Sequence, residues 1–443
     1  MVETKYGYIE GFEKEGCEVY LGIPFAKPPV GELSFQHPLP PDAWAGTLNA
    51  TQGSANPVQN DTGRYVVSNN SRDCLYLNVF VPKKKDGPLP VMVWIYGGSF
   101  SLGGTGALQK GGSELEYDMT RFASDTGCIV VTFNYRLNVF GFLNLHCLDA
   151  DFGQNNGLYD QIMALKFVKE NIAGFGGDPD DVTVFGQSAG GACILALMGM
   201  KDAEGLFRKV IVQSPCVEHF FTESESVKNT QVYLKRAGVK KPGDLMTLPD
   251  QQLRKANNAY EQWFLMKKRD IRCAFSPIID GVTITEEPKK AVKKARYPML
   301  IGNLKEEGNM FIYPYPSVVL PFAPFFIRLK AEKGDGSYRQ RLSDAVTKHV
   351  FILPQLEILD EYAGPAWKYE YRYVYPNAPT GCSHCSELPV LFEKKMLEYK
   401  GDPVSEQVGD QMRSIWGRFA KEGKPGWKPY QPGKDVFIIG EQP

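Results

Sequence analysis

The chain has 443 residues, and its 50 Lys and Arg nearly cancel its 51 Asp and Glu, which leaves a net charge of −1. A near-neutral chain argues against a nucleic-acid binder and against a polybasic membrane-surface protein, because both need a strong positive excess. With 43% hydrophobic residues and no uninterrupted apolar stretch of membrane-spanning length, the composition is that of a globular protein.

Short apolar runs rich in β-branched residues alternate with helical patterns along the chain. Such runs are typical of strands buried on both faces of a parallel sheet. Between the second and third runs, apolar residues from Leu158 to Ile172 recur at helical spacing. The alternation predicts the α/β class with crossover connections. The predicted strands are 89–96, 128–134, 182–185, 210–213, 299–302 and the aromatic-rich run 367–375.

One segment, 186–190, has the pattern G-x-S-x-G and lies between a predicted strand and a helix-compatible run. In that context the pattern predicts a nucleophile elbow, a sharp turn that presents the Ser188 hydroxyl above the edge of the sheet. Small residues on both sides let neighbouring backbone pass close to the turn. A helix that begins after the serine favours an anionic intermediate at its N-terminal end.

A serine nucleophile needs a base, and the base needs an orienting acid. The chain has five histidines, and the order serine, acid, histidine leaves His349 and His384. His349 lies in a helix-like stretch and is interpreted as a structural or surface residue. His384 lies in a loop after the aromatic run, and we take it as the base. For the acid, Glu306 and Glu307 both follow the strand 299–302, and the residues alone do not choose between them.

Acyl transfer also needs hydrogen-bond donors for the oxyanion. The segment 97–100, Gly-Gly-Ser-Phe, follows the first apolar strand, and its glycines let backbone N–H groups point inward. The N–H of Ala189, directly after the predicted nucleophile, completes this set of donors.

Four longer segments follow a pattern known from one protein family; they are 21–31, 73–79, 134–142 and 155–188. Together they resemble the type-B carboxylesterase/cholinesterase family. The resemblance implies an α/β-hydrolase fold, in which helices flank a central, mostly parallel sheet and cap segments surround an active-site gorge. We expect a single domain over 1–443 with insertions at about 220–295 and 310–365.

The resemblance also implies roles for individual residues. The family's Lys-(Asp/Glu)-Glu-Gly motif matches 305–308 and assigns the acid to Glu307, and its Gly-x-x-His motif matches 381–384. Ser214 matches a family serine that supports the triad. The implied catalytic residues are Ser188, Glu307 and His384, and the implied oxyanion donors are the N–H groups of Gly98, Ser99 and Ala189.

A serine carboxylesterase that works through an acyl-enzyme, without metal or organic cofactor, is the function implied. Residues 51–73 lack the tryptophan that binds quaternary ammonium in cholinesterases, so we do not expect a choline ester as substrate. The alternatives are an inactive binding protein of the same family and a related thioesterase, amidase or lipase. The candidate pocket residues are Phe100, Phe220, Phe221, Met310 and Phe311.

Three further expectations concern the surroundings of the protein. The amino terminus lacks the basic and apolar segments of a secretory signal, so we expect a cytoplasmic protein; export after loss of a signal peptide is the alternative. Cys382 and Cys385 form one C-x-x-C pair without a second, which favours packing thiols over a metal site. We expect a small-molecule ester as the partner, no nucleic acid, no membrane insertion, and a monomer or small homo-oligomer.

Overall fold

The apolar runs predicted as strands lie side by side in one large sheet. The computed structural model describes residues 1–60, 69–83, 87–268, 270–393, 401–434 and 436–441. In chain order the strands are β1 Val2–Thr4, β2 Gly7–Glu10, β3 Phe12–Lys14, β4 Cys17–Pro24, β5 Thr47–Asn49, β6 Asn56–Pro57, β7 Asn70–Ser71, β8 Tyr76–Pro82, β9 Leu89–Ile95, β10 Ile129–Phe133, β11 Gly177–Gln187, β12 Lys209–Gln213, β13 Phe221–Thr222, β14 Ile278–Ile279, β15 Met299–Leu304, β16 Ala366–Tyr371 and β17 Val436–Ile439.

Helices connect most of these strands and pack against the sheet. Helix α4, for example, follows β11 and packs on β9, β11 and β12. The helices are α1 Thr120–Thr126, α2 Asn138–Phe142, α3 Asn156–Asn171, α4 Ala189–Leu197, α5 Glu223–Ala237, α6 Asp250–Trp263, α7 Pro288–Lys294, α8 Asn309–Ile312, α9 Ala323–Ile327, α10 Tyr338–Val346, α11 Leu353–Leu359, α12 Glu387–Phe392 and α13 Pro403–Glu422. None of the helices in the described ranges is long and apolar enough to cross a bilayer.

The sheet is mostly parallel, as the continuous apolar strands predict. Within the described residues its strand order is β17-β16-β15-β12-β11-β9-β10-β8-β4-β3. The strands from β17 to β10 pair in parallel, whereas β8, β4 and β3 are antiparallel to their neighbours. Five adjacent parallel strands, β9, β11, β12, β15 and β16, therefore end along one edge, where open α/β sheets build their sites.

The aromatic-rich run is shorter as a strand than predicted. We expected a strand over 367–375, but β16 ends at Tyr371. Tyr373 and Tyr375 lie beyond the strand and are nevertheless buried. Alternating aromatic residues continue past the point where pairing with β17 ends, so the side-chain pattern alone overestimates the strand.

Two long connections interrupt the alternation of strands and helices. The connection from β12 to β15 contains α5, α6 and α7, and the connection from β15 to β16 contains α8 to α11. In the second connection four prolines break the apolar run 310–329 into short pieces, including α8 and α9. The division into one domain with two insertions stays a prediction.

Strand β16 also carries a buried lysine. The Lys368 side chain is 3% exposed, and its Nζ contacts the Asn303 side-chain oxygen, the Gln355 side-chain oxygen at 3.0 Å and the Tyr369 carbonyl at 3.3 Å. Burial lowers the pKa of this ammonium group to about 7, although the carboxylates of Glu370 and Glu307 act in the opposite direction.

Substitution of Lys368 by Met changes how stability depends on pH. Above about pH 7 the folded wild type loses the Lys368 proton, whereas the unfolded chain keeps it, so the free energy of unfolding rises with pH. We will compare the free energy of unfolding, measured with urea, at about pH 7 and at about pH 9. We expect this free energy to increase more between the two pH values for wild type than for Lys368→Met. Equal increases in the two proteins would contradict a buried lysine with a lowered pKa.

Candidate active site

The predicted nucleophile lies on a strained turn between β11 and α4. Ser188 has φ 57° and ψ −120°, and its N–H donates to the Gln213 carbonyl at 2.9 Å. A Cβ at Gly186 or Gly190 would lie 2.6 or 2.1 Å from the Ile95 carbonyl oxygen. Only glycine therefore fits on either side of the serine, and the packing against β9 holds the turn in its unfavourable conformation.

The predicted base and acid form a buried pair. His384 Nδ1 lies 2.6 Å from Glu307 Oε2, and both side chains are almost completely buried. The second carboxylate oxygen of Glu307 accepts a hydrogen bond from the Ser214 hydroxyl at 2.5 Å and one from the Leu304 N–H at 2.8 Å. Ser214 thus orients the carboxylate that contacts the imidazole.

Glu306, the alternative acid, contacts different groups. Its Oε2 accepts hydrogen bonds from the Cys382 N–H at 3.2 Å and from the Asn309 side-chain amide at 3.2 Å. These contacts hold the loop that carries His384. The ring of His384 itself forms its hydrogen bond with Glu307.

The surroundings of His384 shift the pKa of its imidazole in two opposite directions. Burial lowers the pKa of the imidazole, but Cys385 and the Glu307 carboxylate outweigh burial and raise that pKa well above its usual range. The rings of Phe311 and Phe351 lie 5.4 and 4.8 Å from the imidazole and shield it from water. The Glu307 carboxylate therefore stabilises the imidazolium that forms when neutral His384 takes up a proton.

The nucleophile and base do not yet share a hydrogen bond. The Ser188 hydroxyl lies 3.7 Å from the Cys216 thiol, and His384 Nε2 lies 3.3 Å from the amide nitrogen of Gln187. Because Nδ1 faces the Glu307 carboxylate, it carries the proton, and Nε2 presents a lone pair that accepts from Gln187. The two atoms expected to exchange a proton thus have other partners in this structure.

Sequence reasoning missed Gln187 and Cys216, and it gave Cys385 a packing role only. The Cys385 sulfur lies 3.2 Å from the Gln187 amide nitrogen, and the Cys385 backbone is left-handed at φ 70°. The Cys382 thiol instead donates to the Tyr371 carbonyl at 3.1 Å. All nine cysteines belong to the described residues, and all are free thiols. The position of Gln187 directly before Ser188 was the one sequence signal that could have drawn attention to it.

The glycine-rich loop after β9 packs directly against the nucleophile turn. A Cβ at Gly97 would lie 2.6 Å from the Gln187 carbonyl oxygen, and one at Gly98, which has φ 118°, would lie 2.2 Å from the Leu102 carbonyl. Ser99 is also left-handed, at φ 55°. Ala189 is the first residue of α4, so its N–H lies beyond the intrahelical hydrogen bonds. Within the described ranges, no protein acceptor is recorded for the N–H groups of Gly98, Ser99 and Ala189.

The five candidate pocket residues occupy different environments. Phe311 contacts the His384 ring, and Met310 beside it is 42% exposed. Phe100 is fully buried, with its ring 4.9 Å from Phe142.

Phe220 and Phe221 are buried in the connection from β12 to β15. The Phe220 carbonyl accepts from Arg272 at 3.0 Å, and the Phe221 ring lies under the cations of Arg272 and Lys268. Among the described residues, no hydrogen bond or ring contact joins Phe100, Phe220 or Phe221 to the triad candidates. Phe311 therefore lies beside the predicted base, and the assignment of the other four residues to the pocket stays a prediction.

In the part of the chain that the structure describes, no three His, Cys, Asp or Glu residues form a group able to hold a metal ion.

Known proteins resemble this chain over its whole length. The model of the carboxylesterase family matches residues 1–319 and 324–437. A para-nitrobenzyl esterase from Bacillus subtilis (strain 168) is 36% identical, covering 100% of this chain and 95% of the relative. Gut esterase 1 from Caenorhabditis elegans is 37% identical, covering 99% and 88%.

Solved structures show the same relationship. A thermophilic PNB esterase superposes with a TM-score of 0.86 at 33% identity, covering 99% of this chain and 95% of that one. A carboxylesterase from Geobacillus stearothermophilus superposes with a TM-score of 0.85 at 31% identity, covering 99% and 96%. The chain therefore belongs to the carboxylesterase family of α/β-hydrolases and is a carboxylic ester hydrolase.

Proposed function

We propose that the chain hydrolyses carboxylic esters in two steps through an acyl group on Ser188. The Ser188 hydroxyl attacks the ester carbonyl while His384 Nε2 takes its proton, and Glu307 stabilises the resulting imidazolium. The N–H groups of Gly98, Ser99 and Ala189 bind the oxyanion. His384 then returns the proton to the leaving alcohol, and a water molecule, activated in the same way, releases the acid and restores Ser188.

The buried Glu307–His384 pair is the observation that carries this proposal. A carboxylate with its second oxygen held by Ser214 and a backbone N–H keeps Nδ1 protonated, which leaves Nε2 free to act as a base. Nothing in a purely structural role requires this pair beside a strained serine. The para-nitrobenzyl esterase relationship supports aromatic-alcohol esters as test substrates.

Before the first step, two side chains exchange partners. The Ser188 hydroxyl turns from the Cys216 thiol towards Nε2, and the Gln187 amide gives up its contact with the same nitrogen. Catalytic hydrogen bonds are commonly long or misaligned without substrate and tighten when it binds. When the ester carbonyl is bound at the oxyanion donors, His384 Nε2 is the best hydrogen-bond acceptor that remains for the Ser188 hydroxyl.

Replacement of Ser188 by Ala removes the nucleophile with little change in volume. We expect hydrolysis of para-nitrophenyl acetate to fall by at least about ten-thousandfold, and a fluorophosphonate probe to stop labelling the protein. Circular dichroism and thermal unfolding should match wild type. Retention of most of the activity by folded Ser188→Ala protein would refute the assignment.

The adjacent glutamates provide a matched pair of variants. Glu307→Gln keeps the shape but removes the charge that holds the imidazolium, so we expect kcat to fall by about ten-thousandfold. Glu306→Gln keeps hydrogen bonds to a loop and should retain activity within about tenfold of wild type. The reverse order of these two effects would assign the acid to Glu306.

The pH profile tests the role of Cys385 beside the base. The base must be neutral to accept a proton, so kcat/KM rises with pH through the pKa of His384. Because Cys385 raises that pKa, Cys385→Ala should move the acid limb of the profile to lower pH. Cys382→Ala, whose thiol contacts a carbonyl instead, is the control and should leave the limb in place. If the acid limb of the kcat/KM profile does not move in Cys385→Ala, Cys385 does not raise the pKa of His384.

A further inference from the structure

Half of the exposed large apolar side chains in the described residues lie in two short segments, and one of these segments contacts His384 through Phe311. The first is the single π-helical turn Phe264–Lys268, and the second runs from 310 to 325. Val318 is 76% exposed, Phe322 63% and Met266 52%. A soluble protein rarely exposes so many apolar side chains together unless the surface binds something. We call these two segments the apolar face.

The two segments form one surface that begins at the candidate base. Helix α9, in the second segment, packs against the π-helical turn, and the Arg328 guanidinium donates to the Lys268 carbonyl at 3.2 Å. At the other end the Phe311 ring, itself 39% exposed, lies 5.4 Å from the His384 ring. An acyl chain lying along the apolar face could therefore extend to the candidate base at Phe311.

The exposed charges in the two segments and directly beyond them are positive in the described residues. Residues 310–331 contain no Asp or Glu, and the exposed ionic side chains at its edge include Lys267, Arg328 and Lys330. The next acidic residues along the chain are already paired. Asp270 binds Arg272 at 2.7 Å, and Glu332 binds His349 at 3.0 Å. A partner for this surface thus combines an apolar interior with a negatively charged layer.

An anionic lipid–water interface has that chemistry. We propose that the apolar face docks on such an interface and presents lipid-borne, long-chain acyl esters to Ser188. The apolar side chains enter the boundary of the acyl chains, while the basic edge is attracted by the anionic headgroups. This inference rests on the proposed ester hydrolysis at Ser188 and needs no membrane-spanning helix.

A second copy of the chain fits the apolar face less well. In a twofold dimer the same patch meets itself, so Lys267, Arg328 and Lys330 of the two copies would approach one another. Like charges at such an interface oppose association. The near-neutral net charge of the chain conceals this local positive edge, which is why composition alone argued against a membrane-surface protein.

Vesicle binding by the full chain tests the proposal. At low salt we expect wild type to co-sediment with phosphatidylcholine vesicles containing phosphatidylglycerol at least about tenfold more tightly than with phosphatidylcholine alone. Val318→Ser/Phe322→Ser should lose this binding by at least about tenfold. Val282→Ser, which changes a valine that is 77% exposed in a different turn, is the matched control and should bind as wild type does.

The basic edge is tested separately by Lys267→Gln/Arg328→Gln/Lys330→Gln. This variant should bind both vesicle types equally, because the preference for phosphatidylglycerol comes from these cations. All of these proteins should hydrolyse soluble para-nitrophenyl acetate at the wild-type rate, which shows that they are folded.

The outcomes separate the two proposals. Hydrolysis of the soluble ester without vesicle binding would overturn the docking inference and leave the proposed function standing. No hydrolysis of any ester by wild type would overturn the proposed function itself. Equal binding of wild type to both vesicle types, or a concentration-dependent dimer that Val318→Ser/Phe322→Ser abolishes, would also overturn the inference, the latter in favour of self-association.

Discussion

The approach of the Ile95 carbonyl to two glycines of the nucleophile turn is the constraint on which the site depends. It presses the end of β9 against the start of α4, so Ser188 cannot relax to an ordinary conformation. The same contact region brings Gly97 against the backbone of Gln187. Nucleophile and oxyanion loop are thereby held together by main-chain packing, which longer or more flexible side chains would not provide.

Buried charge is the second organising feature. Glu307 accepts hydrogen bonds from three donors, which are the His384 ring, the Ser214 hydroxyl and the Leu304 N–H. Glu387 is equally buried but has the Gln213 amide as its partner at 3.3 Å, and burial together with the charge of Glu307 raises its pKa to about 7. Glu387 thus has fewer hydrogen bonds than Glu307 to offset the burial of its carboxyl group.

Local patterns were sufficient to predict the sheet and the elbow. Continuous β-branched runs require burial on both faces, and a serine between glycines after such a run requires a tight turn. The choice between Glu306 and Glu307 could not be made from the residues, because both are carboxylates in one loop and only the family resemblance separated them. The geometry agrees with that choice, since Glu307 contacts the imidazole.

Other features depend on contacts between residues far apart in the chain. Gln187 meets Cys385 across 198 positions, and Ser188 meets Cys216 across 28. The periodicity of apolar residues in the sequence does not predict such contacts, because each of these residues alone is compatible with ordinary packing. The end of β16 was misjudged for a related reason: pairing with β17 stops while the buried aromatic pattern continues.

The candidate site draws on turns that follow five adjacent strands, from β9 to β16. Each strand holds its neighbour's register, so a slip anywhere in this part of the sheet displaces at least one reacting group. Ester turnover therefore depends on the pairing of these five strands, and activity should be lost no later than the strands separate. Loss of strand pairing at the centre should therefore end activity, whereas fraying of the outer helices, which leaves these strands paired, should reduce activity less.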